Sequence, residues 1–431
     1  MTRTDEAGTF ERIFVIITLL MFTGAIVEKF LTPMLGADSP MLRTAWLPFY
    51  GIIFILCVMQ GRAIIHLAAQ EWPLLLVLAV TAASIFWSLD PGLSARRFFA
   101  LAVSTLFGLY LAVRFAPEKL AQIVVGTLWI IALGSFVLGL ALPEMGRMQT
   151  HHIGAWNGMF SEKNRLGQMM VLFIAFSAFL LVSSERQRLL GWAGIMLGFS
   201  LIVLSQSMTA LIAAGAVIGA MVVFRFALAG PILLTIVAYL LVFFAVGISY
   251  ALIFEPESIF ALLGREASLT GRADIWADLG PIIKDRLWSG YGYGAFWEAK
   301  NSPAMVLRRL LEWDVPSAHN GWLELMLQGG IMLVTAFALH FGLRMTRALA
   351  TLWNARGLSA WSFVYLVLFL VFTLSESSIL QQNDVAWVLY VTAAASLMRY
   401  RERIVYVTAA PAPYPGLRAR LRSDHALGMR Q

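Results

Sequence analysis

Arg265, Arg272 and His319 are the residues of this chain whose types best suit catalysis, and all three belong to one long polar segment between Glu255 and His319. A guanidinium group is a planar fork that matches the oxygens of a phosphate. A neutral imidazole suits a general base, which takes a proton from a reacting group. The segment is rich in Arg, Trp, Tyr and Gly and is not a Ser/Gly/Pro spacer, which predicts an ordered loop that carries chemistry.

Arg272 falls in the first turn of a short amphipathic helix that the apolar spacing predicts over residues 271–283. A cation in the first turn opposes the positive end of the helix dipole, so an arginine there is explained if it binds an anion. The alternative is a salt bridge from Arg272 to a nearby carboxylate. Three carboxylates are close enough in sequence: Glu266, Asp274 and Asp278.

His319 and Asn320 lie where the polar segment returns to apolar sequence, at the N-terminal end of a long predicted helix. The partial positive charge of that end disfavours the imidazolium form, which leaves His319 suited to act as a base. Glu324 follows about one turn deeper, where an ionisable side chain is costly, so we expect it to pair with His319 or with an arginine of the loop. The alternative is an interfacial histidine followed by an asparagine that caps the helix.

Tyr291 and Tyr293 belong to the sequence SGYGYGAFW at residues 289–297. Its glycines predict a tight turn that brings the backbone close to a ligand or to another segment. The two tyrosine rings can stack on a sugar face, and packing on the protein core is the alternative.

Lys163, Asn164 and Arg165 belong to a second polar segment, WNGMFSEKNRLG at 156–167, just before a membrane-length apolar run. Two cations at the membrane surface are candidates to bind a lipid-linked phosphate, and contact with phospholipid headgroups is the alternative. The histidine pair at 151–152 comes shortly before, but no HExxH motif or carboxylate cluster accompanies it, so no metal site is predicted.

The composition assigns these residues to a membrane protein. Of the 431 residues, 59% are hydrophobic and 13% are charged, whereas soluble proteins carry roughly 25% charged residues. The net charge is +7, but the arginines and lysines lie mainly in short loops and in the tail, which indicates membrane topology and not nucleic-acid binding. The single cysteine, Cys57, excludes a disulfide within the chain and makes a cysteine metal site a poor explanation.

The apolar segments predict an all-α polytopic membrane protein with about 12 transmembrane helices and one large periplasmic loop at about 255–318. The first segment is too long for a signal-peptide core, so it is predicted to be a retained span. We expect a single membrane domain over residues 1–408 and a basic, disordered cytoplasmic tail at 409–431. The predicted spans lie near 13–34, 45–60, 72–88, 97–116, 120–142, 164–183, 188–205, 208–226, 230–254, 319–345, 360–380 and 384–399.

The distribution of arginine and lysine orients this topology. One set of connections, together with the tail, carries most of these cations, so this set and both termini are assigned to the cytoplasm. The large loop then lies outside the inner membrane, in the periplasm of a Gram-negative host. Four cations on the outer side depart from the trend and are candidates to bind an anionic substrate: Arg96, Arg97, Lys163 and Arg165.

These motifs, in this order, resemble the O-antigen ligase and polysaccharide polymerase superfamily. The resemblance is carried by Arg265, by LTGR–W from Leu269 to Trp276, by the GYG turn, and by His319–Asn320 followed by Leu323, Glu324 and Gly329. The segment 156–167 is similar to the subgroup of exopolysaccharide polymerases that act on succinoglycan-type repeats.

The resemblance implies a membrane-embedded glycosyltransferase fold, GT-C-like, in the bacterial inner membrane with its active site facing the periplasm. Such an enzyme needs no metal or other cofactor and moves a glycan from an undecaprenyl diphosphate carrier to an acceptor hydroxyl, with inversion. Arg272, and with it Arg265, would hold the diphosphate and stabilise its departure. His319 would deprotonate the acceptor or orient the diphosphate. The implied partners are the undecaprenyl-diphosphate-linked oligosaccharide, membrane lipids, and flippase and chain-length regulator proteins.

Two positions depart from the family pattern. Met208, in LSQSMTA, stands where the family often has a lysine or arginine, and Lys163 or Arg165 is a candidate to replace that phosphate contact. Glu162 stands where the polymerase subgroup often has a histidine. Both departures bear on the substrate more than on the type of reaction.

Three other assignments stay open at this point. A ligase would pass the glycan to lipid A core or another acceptor, whereas a polymerase uses the same lipid-linked glycan twice. A transporter or flippase of lipid-linked sugars would have paired repeats and broken helices at mid-depth, and the sequence predicts neither. A structural scaffold would not need the ordered polar loop.

Overall fold

A computed structural model describes residues 7–36, 39–150, 152–183, 185–227, 272–354 and 360–409. Regular structure in these ranges is helical, apart from one isolated bridge between Arg147 and Trp156. In chain order the helices are α1 Thr9–Phe22, α2 Thr32–Leu35, α3 Pro40–Thr44, α4 Leu47–Met59, α5 Gly61–Gln70, α6 Trp72–Ala83, α7 Pro91–Arg114, α8 Pro117–Ala141, α9 Pro143–Gly146, α10 Lys163–Ser183, α11 Arg188–Ser205, α12 Met208–Ala227, α13 Arg272–Asp285, α14 Ala304–Leu311, α15 Gly321–Asn354, α16 Ala360–Ser375 and α17 Val385–Ala409.

The chain is an all-α polytopic membrane protein, as predicted. Six helices of the described part are long and apolar enough to cross a membrane, and two bent pairs raise this number to eight. Three shorter apolar helices complete the set: Met208–Val222, Trp361–Ser375 and Val385–Arg399. Together these helices cover the predicted spans except 230–254, which lies outside the described residues. The number of about 12 spans therefore stays a prediction, and so do the domain bounds, because the tail beyond Ala409 also lies outside them.

The connections between helices meet at one end of the bundle, which we call the polar end: residues 23–29, 84–97, 157–165, 286–330 and 376–384. Side chains join these segments by hydrogen bonds to backbone carbonyls, from Lys29 to Phe160, from Trp87 to Ser289 and from Tyr293 to Leu380. Every candidate site residue of the described part belongs to this end or, like Arg272, to a helix that leads into it.

The segment at residues 290–294 is the tight glycine turn that the sequence predicts. Its glycines all have positive φ, +61° at Gly290, +98° at Gly292 and +65° at Gly294. The amides of Tyr291 and Gly292 donate to the carbonyls of Leu327 and Gln328, over 2.7 and 3.1 Å. A Cβ at Gly290 would meet the backbone of residues 327–329, one at Gly292 would meet Ser88 and one at Gly294 would meet the side chain of Arg97, so only glycine fits at these three positions.

Helix α15 is broken at Gly330, whose φ of 62° and ψ of −159° are not helical. The amide of the next residue, Ile331, donates to Leu287 instead of continuing the helix, which frees the carbonyl of Leu327 for the glycine turn. The sequence gives no sign of this break, and the expectation that broken helices at mid-depth are absent stays a prediction, because it concerns depth in a membrane. The bent pairs, Thr9–Phe22 with Val27–Leu35 at 60° and Gly61–Gln70 with Trp72–Trp87 at 87°, are further breaks.

The second half of α15 is held by a buried group of charges away from the polar end. Glu71, at the bend between α5 and α6, lies 3.1 Å from Nε of Arg344 and 3.2 Å from Nε2 of His340. The Nδ1 atom of His340 lies 2.7 Å from the hydroxyl of Tyr390 on α17. Because a buried charge is tolerated only when it is paired, these contacts fix α15 against α6 and α17.

Gly292→Ala tests the role of the glycine turn. The added Cβ would lie 2.3 Å from Ser88 and the φ of +98° is unfavourable for alanine, so we expect a loss of roughly 1–3 kcal/mol in stability. The measurement is the Tm of the purified protein in detergent, read from tryptophan fluorescence. Gly280→Ala is the matched control, because a Cβ at this helical position meets nothing within 4 Å. Equal Tm values for the two variants would contradict the proposed constraint.

Candidate active site

Arg272 and His319 meet at one carboxylate, that of Glu376. The Nη2 atom of Arg272 lies 3.1 Å from Oε1 of Glu376, and Nδ1 of His319 lies 3.5 Å from Oε2. The three side chains are only 18–26% exposed. Each oxygen of Glu376 therefore faces one partner: the carboxylate pairs with the guanidinium of Arg272, and the imidazole of His319 lies beside it without a hydrogen bond from Nδ1.

The positions of Arg272 and His319 relative to their helices are those that the sequence predicts. Arg272 is the first residue of α13. Among the described residues its ion pair is with Glu376 and not with Asp274 or Asp278, whereas Glu266 lies outside them. His319 lies just before α15 with a φ of 48°. Asn320 caps this helix, because its Oδ1 accepts hydrogen bonds from the amides of Trp322 and Leu323 over 2.9 and 3.2 Å. Helix capping by Asn320, the alternative that the sequence leaves open, is confirmed, whereas contact of Asn320 with substrate stays a proposal.

Arg165 forms a second ion pair close to the first. Its guanidinium binds the carboxylate of Asp384. The carboxylates of Glu28 and Glu376 also lie close enough to act electrostatically on Arg165. Two further hydrogen bonds hold the guanidinium, to the carbonyl of Thr23 over 3.3 Å and to Oε1 of Gln168 over 3.4 Å. We call Arg165, Arg272, His319, Glu28, Glu376 and Asp384 together the ionic network.

Lys163 and Asn164 turn towards the connection between α11 and α12. The ammonium group of Lys163 donates to the carbonyl of Gln206 over 3.4 Å, and the hydroxyl of Ser207 donates to Oδ1 of Asn164 over 2.9 Å. Lys163 is buried. Its ammonium group therefore lies beside Gln206, which precedes Met208 by two positions in the sequence. Met208 is the position where the family pattern often has a lysine or arginine.

Glu324 is buried and has partners other than those expected. Its Oε1 atom accepts hydrogen bonds from Nε1 of Trp297 over 2.9 Å, from the amide of Ala318 over 2.7 Å and from the hydroxyl of Ser377 over 3.2 Å. Within the described residues no hydrogen bond joins it to His319 or to an arginine, although His319 lies close enough to act on it electrostatically. Glu324 ties the end of the loop to α15 and to the α16–α17 connection.

Tyr291 and Tyr293 are buried, and their hydroxyl groups donate to backbone carbonyls. Tyr291 donates to Ile282 over 2.7 Å and Tyr293 donates to Leu380 over 2.6 Å. Burial raises the pKa of Tyr293, so its hydroxyl stays protonated and remains a donor. These positions give the two rings packing contacts and leave no ring face open to a sugar. Arg265, the other predicted phosphate ligand, lies outside the described residues.

Residues 193–338 of this chain match the family model described as O-antigen ligase. The superfamily resemblance is confirmed. The matched segment is about a third of the chain and contains Arg272, the glycine turn, His319 and Glu324. No curated protein matches the chain. The narrower resemblance of residues 156–167 to succinoglycan-type polymerases lies outside the matched segment and stays an expectation.

The carboxylates of the ionic network, Glu28, Glu376 and Asp384, were not predicted from the sequence. Glu376 and Asp384 lie in the short connection ESSILQQND between two apolar segments, outside the O-antigen ligase match. The sequence contained one indication of Glu376 and Asp384: two acidic residues lie on the same predicted outer side as the four cations that depart from the charge trend. Glu28 had a clearer signal, because an ionisable residue inside an apolar segment tends to be paired or functional.

Glu324→Gln and Glu324→Ala distinguish a structural from a substrate-binding role for this residue. Glutamine keeps an acceptor oxygen, so we expect near-normal stability and activity, whereas alanine leaves buried donors unpaired and costs about 1–3 kcal/mol. Thermal unfolding and turnover are measured on both variants. Glu298→Gln, at a half-exposed carboxylate of the same loop, is the control. A folded but inactive Glu324→Gln protein would show that the charge serves the reaction.

Proposed function

We propose that this protein is a bacterial inner-membrane glycosyltransferase that polymerises undecaprenyl-diphosphate-linked oligosaccharide repeat units on the periplasmic side, in exopolysaccharide or O-antigen synthesis. The family match supports an enzyme of the O-antigen ligase and glycosyltransferase class. The observation that carries the proposal is the meeting of Arg272 and His319 at Glu376, because it joins a phosphate-binding fork to a candidate base. The ligase reaction is the alternative, and the resemblance of residues 156–167 favours the polymerase.

The position of the ionic network at helix ends favours transfer over transport. Arg165 lies in the first turn of α10, His319 lies two residues before α15, and Asp384 directly precedes α17. A transporter of the same lipid-linked sugars would hold such groups at mid-depth in the membrane. Although α15 is broken, as transporter helices often are, its freed carbonyl at Leu327 is bonded to the loop and does not face an ion path.

The proposed reaction uses these groups in one displacement. The acceptor hydroxyl attacks the anomeric carbon of the donor, a new glycosidic bond forms, and the bond to the diphosphate breaks with its electron pair on the leaving oxygen. Arg272 stabilises the charge that develops there, since its guanidinium can exchange Glu376 for a phosphate. Because Nδ1 of His319 faces Glu376, its Nε2 atom is left to take the hydroxyl proton, and Glu376 stabilises the resulting imidazolium.

Lys163 is proposed to supply the second cation for the diphosphate. Its ammonium group lies beside Gln206, next to the position where Met208 replaces the lysine or arginine of the family pattern. Metal-free chemistry is part of the proposal, since two cationic side chains can neutralise a diphosphate in place of a metal ion.

The test is a reconstituted reaction with the purified protein, the undecaprenyl-diphosphate-linked repeat unit and a chelator of divalent metals. We expect a ladder of longer lipid-linked products, and none from His319→Ala. Products that appear only after lipid A core is added would identify a ligase. Activity lost on chelation and restored by magnesium would refute the metal-free mechanism, and no transfer to any acceptor would favour a transporter.

Arg272→Lys tests the leaving-group role within this reaction. A lysine keeps the charge but not the two-point contact, so we expect roughly a 100-fold loss of turnover with normal folding. Arg308→Lys is the matched control, because Arg308 pairs with Asp314, a carboxylate that is 86% exposed, and surface pairs contribute about 0–1 kcal/mol. Turnover near that of the wild type in Arg272→Lys and in Arg272→Ala would remove Arg272 from the mechanism.

A further inference from the structure

A break in the first membrane helix brings a carboxylate to the ionic network. After α1 ends, the chain turns at Gly24, whose φ is +82°, and continues as Val27–Leu35 at an angle of 60°. The first five residues of this second part, Val27–Leu31, form a π-helical turn. Such turns are rare and occur often at functional sites.

Hydrogen bonds join the broken segment to the residues at and just before the start of α10, where Arg165 lies. The ammonium group of Lys29 donates to the carbonyl of Phe160 over 3.1 Å, and the amide of Ser161 donates to Oε2 of Glu28 over 3.4 Å. The carbonyl of Thr23, at the break itself, accepts from Nη2 of Arg165 over 3.3 Å. The break therefore contributes to the site and is not an irregularity at its margin.

Gly24 makes room for the carboxylate of Glu28. A Cβ at position 24 would lie 2.5 Å from Oε1 of Glu28. The side chain thus folds back over the break, where Arg165 and Asp384 act on it electrostatically. A positive φ and the absence of a side chain at position 24 are both required for this arrangement.

Glu28 differs from the other carboxylates of the network in how few contacts it has. Glu376 is shared by Arg272 and His319, and Asp384 both pairs with Arg165 and caps α17 through the amide of Ala386 over 2.7 Å. Within the described part of the chain, the hydrogen bonding of Glu28 is the single long contact with Ser161. Since a carboxylate can accept about four hydrogen bonds, most of its capacity is unused.

The charge of Glu28 decides what kind of group it can bind. A diphosphate would be repelled by a carboxylate, so Glu28 does not serve the leaving group. A sugar hydroxyl is a neutral donor, and its hydrogen bond to a carboxylate is charge-assisted and therefore strong. The side chain is partly exposed, which leaves it accessible to such a donor.

We propose that Glu28 binds the acceptor sugar and accepts a hydrogen bond from one of its hydroxyl groups beside Arg165. This inference rests on the proposed glycosyl transfer and adds an acceptor subsite built by the first membrane helix. The donor diphosphate and the acceptor sugar are then held by different parts of the chain, Arg272 with Lys163 for the diphosphate and Glu28 for the sugar.

The test compares Glu28→Gln, Glu28→Asp and Glu144→Gln in the reconstituted reaction, with binding of undecaprenyl diphosphate measured in parallel. Loss of a charge-assisted hydrogen bond predicts about a 10- to 100-fold lower transfer rate in Glu28→Gln, and partial activity in Glu28→Asp. Carrier binding should stay within about twofold of the wild type, because the diphosphate is held by cations elsewhere. Glu144→Gln removes an exposed carboxylate of α9 that lies outside the ionic network and should transfer normally.

The outcomes separate this inference from the proposed function. Normal transfer by Glu28→Gln in an assay where the wild type is active overturns the acceptor subsite and leaves the glycosyltransferase assignment intact. A joint fall of Tm, carrier binding and transfer in Glu28→Gln also overturns it, because the role would then be structural. A wild-type protein that transfers no sugar refutes the proposed function, and the acceptor subsite with it.

Discussion

The arrangement of the polar end depends on the contacts that the carboxylate of Glu376 makes. It reaches Arg272 and His319, which enter the site from opposite ends of the described part of the loop. A partly buried arginine without a counter-ion would be costly, so the pair with Glu376 stabilises the loop in the position where both groups face one site. Helix α16, which precedes Glu376 directly, thereby sets the position of the candidate base and of the candidate phosphate ligand together.

In a site built from ion pairs, a charged substrate binds one member of a pair by displacing the other member. Arg272 and Arg165 are each balanced by a carboxylate, so neither presents an uncompensated charge. In the proposed reaction, a diphosphate that binds Arg272 takes the place of Glu376, and the released carboxylate then has His319 as its nearest described partner. The proposed binding of the donor and the proposed preparation of the base are then coupled through one side chain. The buried bonds of Glu324 keep the loop in place during that exchange.

Local sequence signals predicted the parts of this site that depend on local structure. Apolar spacing gave α13 with Arg272 in its first turn, the cap at Asn320 was foreseen, and the glycine turn has the positive φ angles that its composition requires. Contacts between distant helix ends were not predictable in this way, because neither periodicity nor spacing reports which connections meet. Glu376 and Glu28 were missed for that reason, and so were the hydrogen-bond partners of Glu324. The break at Gly330 was missed because its cause is a hydrogen bond from Ile331 to a different part of the chain.

The break at Gly330 also separates two mechanical parts of α15. The far part is fixed to α6 and α17 by Glu71, His340 and Arg344. Its position along the membrane normal is therefore set by the other transmembrane helices. The near part is bonded to the glycine turn and to the loop that ends at His319. A change in bilayer thickness tilts or shifts transmembrane helices, and a continuous α15 would carry that shift straight to His319. The interruption at Gly330 gives α15 a point where such a shift can be taken up before it reaches the residues bonded to the loop.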